Sequence, residues 1–360
     1  DVPTEDGKRK QKWVPAYYDK PKSQKLLTKL VNEVNEGIYV EPSEMLMREY
    51  LPRWLKNKKP NVAEPTYDQY QYFCEQFIMP ALGHRKLGKL KSTHLKKFYT
   101  DLREGSTLEE GSIFRLHTCL KSALSSAMED ELIKNNPAKY KDAPKKPEKE
   151  MLFWDEKTAW KFLDCADGER TFIAFYLAIK TGMRQGEILG LKWNDIDLEN
   201  QTISVVRALS HKGDKFVPPK KNSRRTFPVS EATIDQLKKH YVLIKQEQLR
   251  NGELYEQNGL VVPTGLGTKL IPRNFSRIWY RLLKKSKVAP IRFHDLRHTH
   301  VAIAIKSGES LHSIANRIGH KSIQQIDQTY GHLLSGVQES AAAKFDEYFE
   351  AERHKNQEAR

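Results

Sequence analysis

Thr181-Gly-Met-Arg184-Gln-Gly-Glu187-Ile-Leu-Gly-Leu-Lys-Trp193 is the stretch on which the reading of this chain turns. An apolar helical run, 171–180, precedes it and stops at the Thr181-Gly182 pair. Arg184 then stands where one helix ends and another begins, and Glu187 falls on the same helix face three residues later. Farther on, 202–209 and 225–229 read as strands on either side of a Lys/Pro-rich hairpin, and helices return from Ser230. Strands so few and so close in sequence do not build a doubly wound sheet. The expected class is mostly α with a small antiparallel β-sheet, an α+β fold.

Toward the amino terminus, residues 43–136 read as helices joined by short basic turns, at 43–56, 65–79, 92–103 and 110–133. Ser43 and Ser92 sit where caps belong, and Tyr67, Tyr70, Phe73, Cys74 and Phe77 recur at helical spacing. Asn136-Pro137 ends this segment, and 139–150 carries prolines and charges without apolar periodicity, which makes it the expected linker. Before it all lies a basic, aromatic stretch with Trp13, Tyr17 and Tyr18, then a helical run, 23–35, that Ser23 could cap. A start at Asp1 makes a fragment of a longer protein the expectation. At 360 residues, two or more domains are expected, and 38% hydrophobic residues suffice to give them cores.

Lysine and arginine number 61 against 46 acidic residues, a net charge of +15. An excess this large favours a polyanionic partner, with DNA or RNA first. No apolar run approaches the ~18–20 residues of a membrane span, so no membrane partner is expected. Cys74, Cys119 and Cys165 are odd in number and widely spaced, as buried thiols of a reducing cytoplasm would be.

Two apparent motifs can be set aside. Gly83-His-Arg-Lys-Leu-Gly88-Lys89 has phosphate-loop spacing, but Leu90 stands where a Ser or Thr must hold magnesium. His294 and His298 have the spacing of metal ligands on a helix, but Arg297 lies between them and no Glu follows His294. No metal and no cofactor are expected. What remains suits phosphoryl transfer, which requires a clamp on a charged phosphate, an in-line nucleophile and a proton for the leaving oxygen. Arg184 is followed by His294 and Arg297 on one helix face, by His320 after Gly319, and by Tyr330 in Gln328-Thr-Tyr-Gly-His332. Each taken singly reads as an ordinary structural residue; the ordered set is what points to the chemistry.

That set resembles the tyrosine recombinases. Thr181 to Trp193 is similar to the first-arginine box of the family. His294-Asp-Leu-Arg297-His-Thr, then Ile-Gly-His320-Lys-Ser, then Tyr330, follow the order and spacing of its second box. The likeness spans roughly residues 43–334, and the basic segment before it is similar to the arm-DNA-binding module of phage and conjugative-transposon integrases. The resemblance implies that Arg184 and Arg297 grip the scissile phosphate, with His320 adding a hydrogen bond as charge grows. Tyr330 would attack to form a 3′-phosphotyrosine, and His294 would take its proton or bond the phosphate. Glu187 would steady the cluster. The family's proton donor is a lysine on a β-hairpin, here in Phe216-Val-Pro-Pro-Lys220-Lys221-Asn-Ser-Arg-Arg-Thr-Phe-Pro228. Lys220 is favoured and Lys221 is the alternative, on a loop one residue shorter than in many relatives.

The expected modules are therefore a partial arm-type segment, 1–40, and a helical core-DNA-binding domain, 43–138. After the linker, 139–150, come a mixed catalytic domain of the DNA breaking-rejoining type, 151–336, and a tail helix, 337–360. Lys86, Lys89, Lys91, Lys96, Lys97, Lys221, Arg224 and Arg225 are expected at phosphates rather than bases. The resemblance further implies core and arm DNA sites, a homotetramer on DNA, an accessory directionality factor and a bacterial cytoplasmic, DNA-associated protein. The tail, with Ala341, Phe345 and Phe349 on one face, would pack on a neighbouring subunit or dock on its own domain. The implied activity is integration and excision of a phage or conjugative transposon by Holliday-junction strand exchange. The rival readings are a chromosome-dimer resolvase or type IB topoisomerase with the same catalytic set, and a DNA-binding regulator without catalysis.

Overall fold

A computed structural model describes residues 2–3, 9–10, 19–36, 43–147, 151–220, 223–320 and 322–331. The chain divides into two compact units, residues 1–149 and 150–360.

In the first unit, β1 (Val2–Pro3) pairs antiparallel with β2 (Arg9–Lys10), and α1 (Lys20–Asn35) follows. Asp19, not Ser23, caps α1, its carboxylate accepting from the Lys22 N–H. Then come α2 (Met47–Lys58), α3 (Glu64–Phe73), α4 (Met79–Leu82), α5 (Ser92–Gly105) and α6 (Glu110–Glu129). A π-turn, Cys74–Ile78, joins α3 to α4, so the expected single helix 65–79 is continuous but locally unwound. Ser43 and Ser92 are not the caps: Glu49 accepts from the Leu46 N–H at the start of α2, and His94 accepts from the Lys91 N–H at the start of α5. The core gathers one face of each helix, with Leu51, Trp54, Phe73, Ile78, Leu95, Tyr99, Leu116 and Leu120 among its members. Cys74 and Cys119 are buried in it, and Cys165 of the second unit is half-buried; all three are free thiols. Residues 139–147, expected as linker, lie along the first unit, where Tyr140 packs on the core beneath the ammonium of Lys96.

The second unit holds α7 (Glu156–Ala166), α8 (Phe172–Thr181), α9 (Gln185–Leu189), α10 (Glu231–Asn251), α11 (Pro272–Ser286), α12 (Asp295–Lys306), α13 (Leu311–Ile318) and α14 (Ile323–Tyr330). Between α9 and α10 lies a three-stranded antiparallel sheet in the order β3 (Ile196–Asp197), β4 (Thr202–Val205), β7 (Arg225–Pro228). A separate ribbon pairs β5 (Ala208–Leu209) with β6 (Phe216–Val217). The expected strand 202–209 is thus two strands in two sheets. The class is as read from the sequence, mostly helical with small antiparallel sheets.

The apolar α8 is buried nearly all round, as its unbroken run Phe-Ile-Ala-Phe-Tyr-Leu-Ala-Ile requires. Phe162, Phe175, Phe275, Trp279 and Phe293 pack about it with ring centroids 4.8–6.3 Å apart. A second, smaller core joins Val301 and Ile305 of α12, Ile314 and Ile318 of α13, and Ile326 and Tyr330 of α14. Among the described residues no helix is long and apolar enough to cross a membrane. The tail 337–360 and Lys221 lie outside the described residues.

Candidate active site

α8 ends at Gly182 in the left-handed conformation (φ 65°), which turns the chain so that Arg184 opens α9. Side chains are strained at that φ, and a Cβ here would stand 2.7 Å from His300 Cδ2 and 2.9 Å from Ile318 Cγ2. Gly182→Ala is therefore expected to cost at least about 1–2 kcal/mol, or roughly 2–8 °C in the melting temperature of a unit this size. Calorimetry of the variant measures this; an unchanged melting temperature would mean the turn relaxes freely.

The same turn anchors Arg297. One arm of its guanidinium donates to the Gly182 carbonyl (2.8 Å) and the other to the Ile318 carbonyl (2.6 Å), at the carboxyl ends of α8 and α13. Burial, then the neighbouring positive charge of Arg184, pushes Arg297 down to about 9, which leaves it protonated at neutral pH. Arg184 is more open, with 23% of its side chain exposed. Its Nη1 donates to Glu187 Oε1 (2.8 Å), and its backbone N–H donates to the other carboxylate oxygen (2.9 Å).

Glu187 is not a surface acid; it is 1% exposed. Burial alone would raise its carboxyl, but hydrogen bonds and charge from Arg225, then Arg184, outweigh that and hold it below the ordinary carboxylate range. Arg225 meets the carboxylate with both arms (2.8 and 3.2 Å) and is 8% exposed. Its expected place at the DNA surface is thus corrected. The buried carboxylate on α9 draws the guanidinium inward, because an unpaired charge there would cost several kcal/mol. Arg224, the residue before β7, is exposed.

Tyr330 closes α14, buried at 3% exposure, with its hydroxyl hydrogen-bonded to His298 Nδ1. Burial raises its phenol above the ordinary value, partly offset by the positive charge of Arg297. Of the two places expected for His294, at the Tyr330 hydroxyl or at the phosphate, the first is held by His298, one turn along α12. His294, at the start of α12, is solvent-exposed and packs edge-on to the His298 ring, centroids 5.7 Å apart. Burial first, then the Asp295, Arg292 and Arg297 charges, sets the His298 imidazole, with a net fall below its ordinary value. The shared spacing of His294 and His298 was the only sign in the sequence that both belong to one cluster.

Gly319 ends α13, again left-handed (φ 68°), and His320 follows with its backbone N–H donating to the Ala315 carbonyl (2.9 Å). Lys220 is exposed on the hairpin, its carbonyl accepting from the Ser223 hydroxyl (3.0 Å). Arg184, Arg297, His294, His298 and Tyr330 thus converge through α9, α12 and α14, linked by charge and by the Tyr330–His298 bond. Among the described residues no group of three or more His, Cys, Asp or Glu side chains is disposed to hold a metal ion.

In the first unit Lys86 and Lys89 pair with Glu44, and Lys96 lies 3.5 Å from Asp142. Lys91 and Lys97 are exposed. Such surface pairs contribute little to stability.

A model described as the phage integrase family matches residues 120–336, and one described as the N-terminal SAM-like domain of phage integrases matches residues 46–103. A tyrosine recombinase XerC-like protein of Caldanaerobacter subterraneus subsp. tengcongensis is 27% identical over 343 residues, 89% of this chain and 87% of that one. The ICEBs1 integrase of Bacillus subtilis is 29% identical over 297 residues, 79% of this chain and 78% of that one. The Tn1549 transposon integrase, solved in complex with transposon right end DNA, superposes with a TM-score of 0.71 at 20% identity, over 84% of this chain and all of that one.

Proposed function

The chain belongs to the phage integrase family and is a tyrosine recombinase, and from that premise we propose that it integrates and excises a mobile element through a 3′-phosphotyrosine at Tyr330. The observation that carries this reading is the convergence of Arg184, Arg297 and Tyr330, with Arg297 charged and Tyr330 already bonded to an imidazole. Arg184 and Arg297 grip the non-bridging oxygens of the scissile phosphate, a guanidinium being matched to phosphate in shape and charge. His320 and His294 add hydrogen bonds as charge grows on those oxygens. Tyr330 attacks phosphorus, its proton passes to the neutral His298, and the 5′-oxygen leaves with a proton from Lys220, with Lys221 the alternative donor. The phosphodiester energy is kept in the phosphotyrosine, so religation by the 5′-hydroxyl needs no nucleotide.

Residues 43–138 act as the core-DNA-binding domain and 151–336 as the catalytic domain. Lys86, Lys89, Lys91, Lys96, Lys97 and Arg224 meet the backbone of the duplex. Strand exchange on paired sites calls for four copies on DNA.

The decisive experiment selects bound duplexes from a genomic library, footprints them, and converts the footprint into a nicked suicide substrate. A covalent protein–DNA adduct formed without ATP is the expected result; binding without any adduct would leave only the regulator reading. The pH dependence tests the base. His298 lies below its ordinary value of ~6.5, so it is neutral across the physiological range. Cleavage should hold steady through the ordinary imidazole range and decline only at more acid pH, where His298 protonates and can no longer accept. His298→Gln, which keeps a polar partner without titrating, should lose that decline. An unchanged acid limb in single-turnover cleavage would move the role to another group, His294 being next.

A further inference from the structure

Arg225 leaves β7, where it pairs in register with Val205, and turns into the second unit. Its side chain touches three separate pieces of chain. Both arms meet Glu187 on α9, Nε donates to the Arg317 carbonyl on α13 (2.6 Å), and Nη1 donates to the Ser223 carbonyl on the hairpin (3.2 Å). Each piece leads directly to a residue of the cleavage site. Glu187 holds Arg184; the Arg317 carbonyl precedes the Ile318 carbonyl that holds Arg297; and Ser223 bonds the carbonyl of Lys220. Gly319, just before His320, lies so close under Arg225 that a Cβ there would stand 3.1 Å from Nη1.

We propose that Arg225 is a positioning residue for DNA cleavage, which fixes Glu187 as a charged support for Arg184 and ties the hairpin to the end of α13. This rests on the reading that Arg184 and His320 act on the scissile phosphate. Electrostatics supports it. The charged groups facing Glu187 are Arg184 at the start of α9, Arg225 on β7 and Arg297 on α12. Arg225 supplies the largest stabilisation of the buried carboxylate, ahead of both contributions from Arg184. Without Arg225 the burial of Glu187 prevails and its carboxyl rises. With the carboxyl depressed, as in the native chain, Glu187 stays ionised throughout the physiological range and adds no limb to the pH profile. With it raised, Glu187 takes up a proton as pH falls and releases Arg184.

The test compares the full chain with Arg225→Met, Arg225→Lys and the double variant Arg225→Met/Glu187→Gln. Three quantities are read for each: single-turnover adduct formation against pH on the suicide substrate, duplex affinity against salt, and thermal melting. Arg225→Met should form adducts roughly 10–100-fold more slowly, the scale for losing a group that orients a primary contact. It should keep wild-type duplex affinity and gain an acid decline beyond the one that His298 gives the wild-type chain. Arg225→Lys should abolish that decline by restoring a charge beside Glu187. The double variant should be slow but show only the wild-type decline, since no titrating carboxyl remains. If Arg225→Met fails to fold, the double variant carries the test, because it removes both members of the buried pair.

A wild-type rate and profile in Arg225→Met, or persistence in the double variant of an acid decline beyond the wild-type one, would overturn the proposal. So would weakened binding with a salt slope smaller by about one and an unchanged pH profile, the signature of a plain phosphate contact. Absence of adducts from the wild-type chain would instead defeat the cleavage reading itself.

Discussion

Tyr330→Phe is expected to abolish covalent protein–DNA adducts on a nicked suicide substrate while leaving duplex affinity intact. The substitution removes one hydroxyl from a side chain whose ring stays packed between Ile314, Ile318 and Ile326, so the smaller core keeps its volume. It also removes the hydroxyl that His298 Nδ1 meets, leaving a half-buried imidazole at modest cost. Stability should therefore move by no more than about 1–2 kcal/mol, while chemistry stops. Adducts that survive in Tyr330→Phe would show another nucleophile. Loss of binding together with the adducts would show instead that α14 had been disrupted.

Arg184→Ala should slow cleavage by at least ~10²–10³-fold, the scale for removing one preorganised group that stabilises developing charge. Two features sharpen the expectation. Arg184 is the more exposed arginine of the pair, so its loss leaves no large cavity and its guanidinium is open to an incoming phosphate. Glu187 keeps both bonds from Arg225 when Arg184 is gone, so the buried carboxylate is not stranded. Melting should accordingly change little while the single-turnover rate collapses. Arg184→Lys should recover only part of the rate, since an ammonium lacks the planar fork. A rate near wild type in Arg184→Ala would refute the role assigned to it.

How much of this could be read from the sequence depended on whether the relevant contact was local. Arg184 and Glu187 share one turn, so their contact follows from helical spacing, and the stop at Gly182 that places them is written in the residue type. Arg225 was misread because nearby residues alone describe a basic hairpin as solvated; its partner lies on another element, reachable only after β4 and β7 have paired. His298 and His294 have equivalent spacings, and only the placement of α14 against α12 decides which of them meets Tyr330. The helix starts failed for a related reason. Ser23, Ser43 and Ser92 are competent caps, but Asp19, Glu49 and His94 satisfy the first-turn donors in their place. Tyr140 shows the converse, an aromatic in a polar stretch finding a core that composition did not suggest.

The two carbonyls that hold Arg297 bear on how this site can change over generations. Both belong to the main chain, at the carboxyl ends of two helices, where the peptide dipoles converge to roughly half a negative charge each. A backbone oxygen survives replacement of the side chain it accompanies. The residues at the end of α8 and along α13 are thus free to drift so long as Gly182 and Gly319 keep their turns and the apolar faces stay filled. An orientation written in peptide groups rather than side chains lets the buried Arg297 outlast extensive sequence divergence.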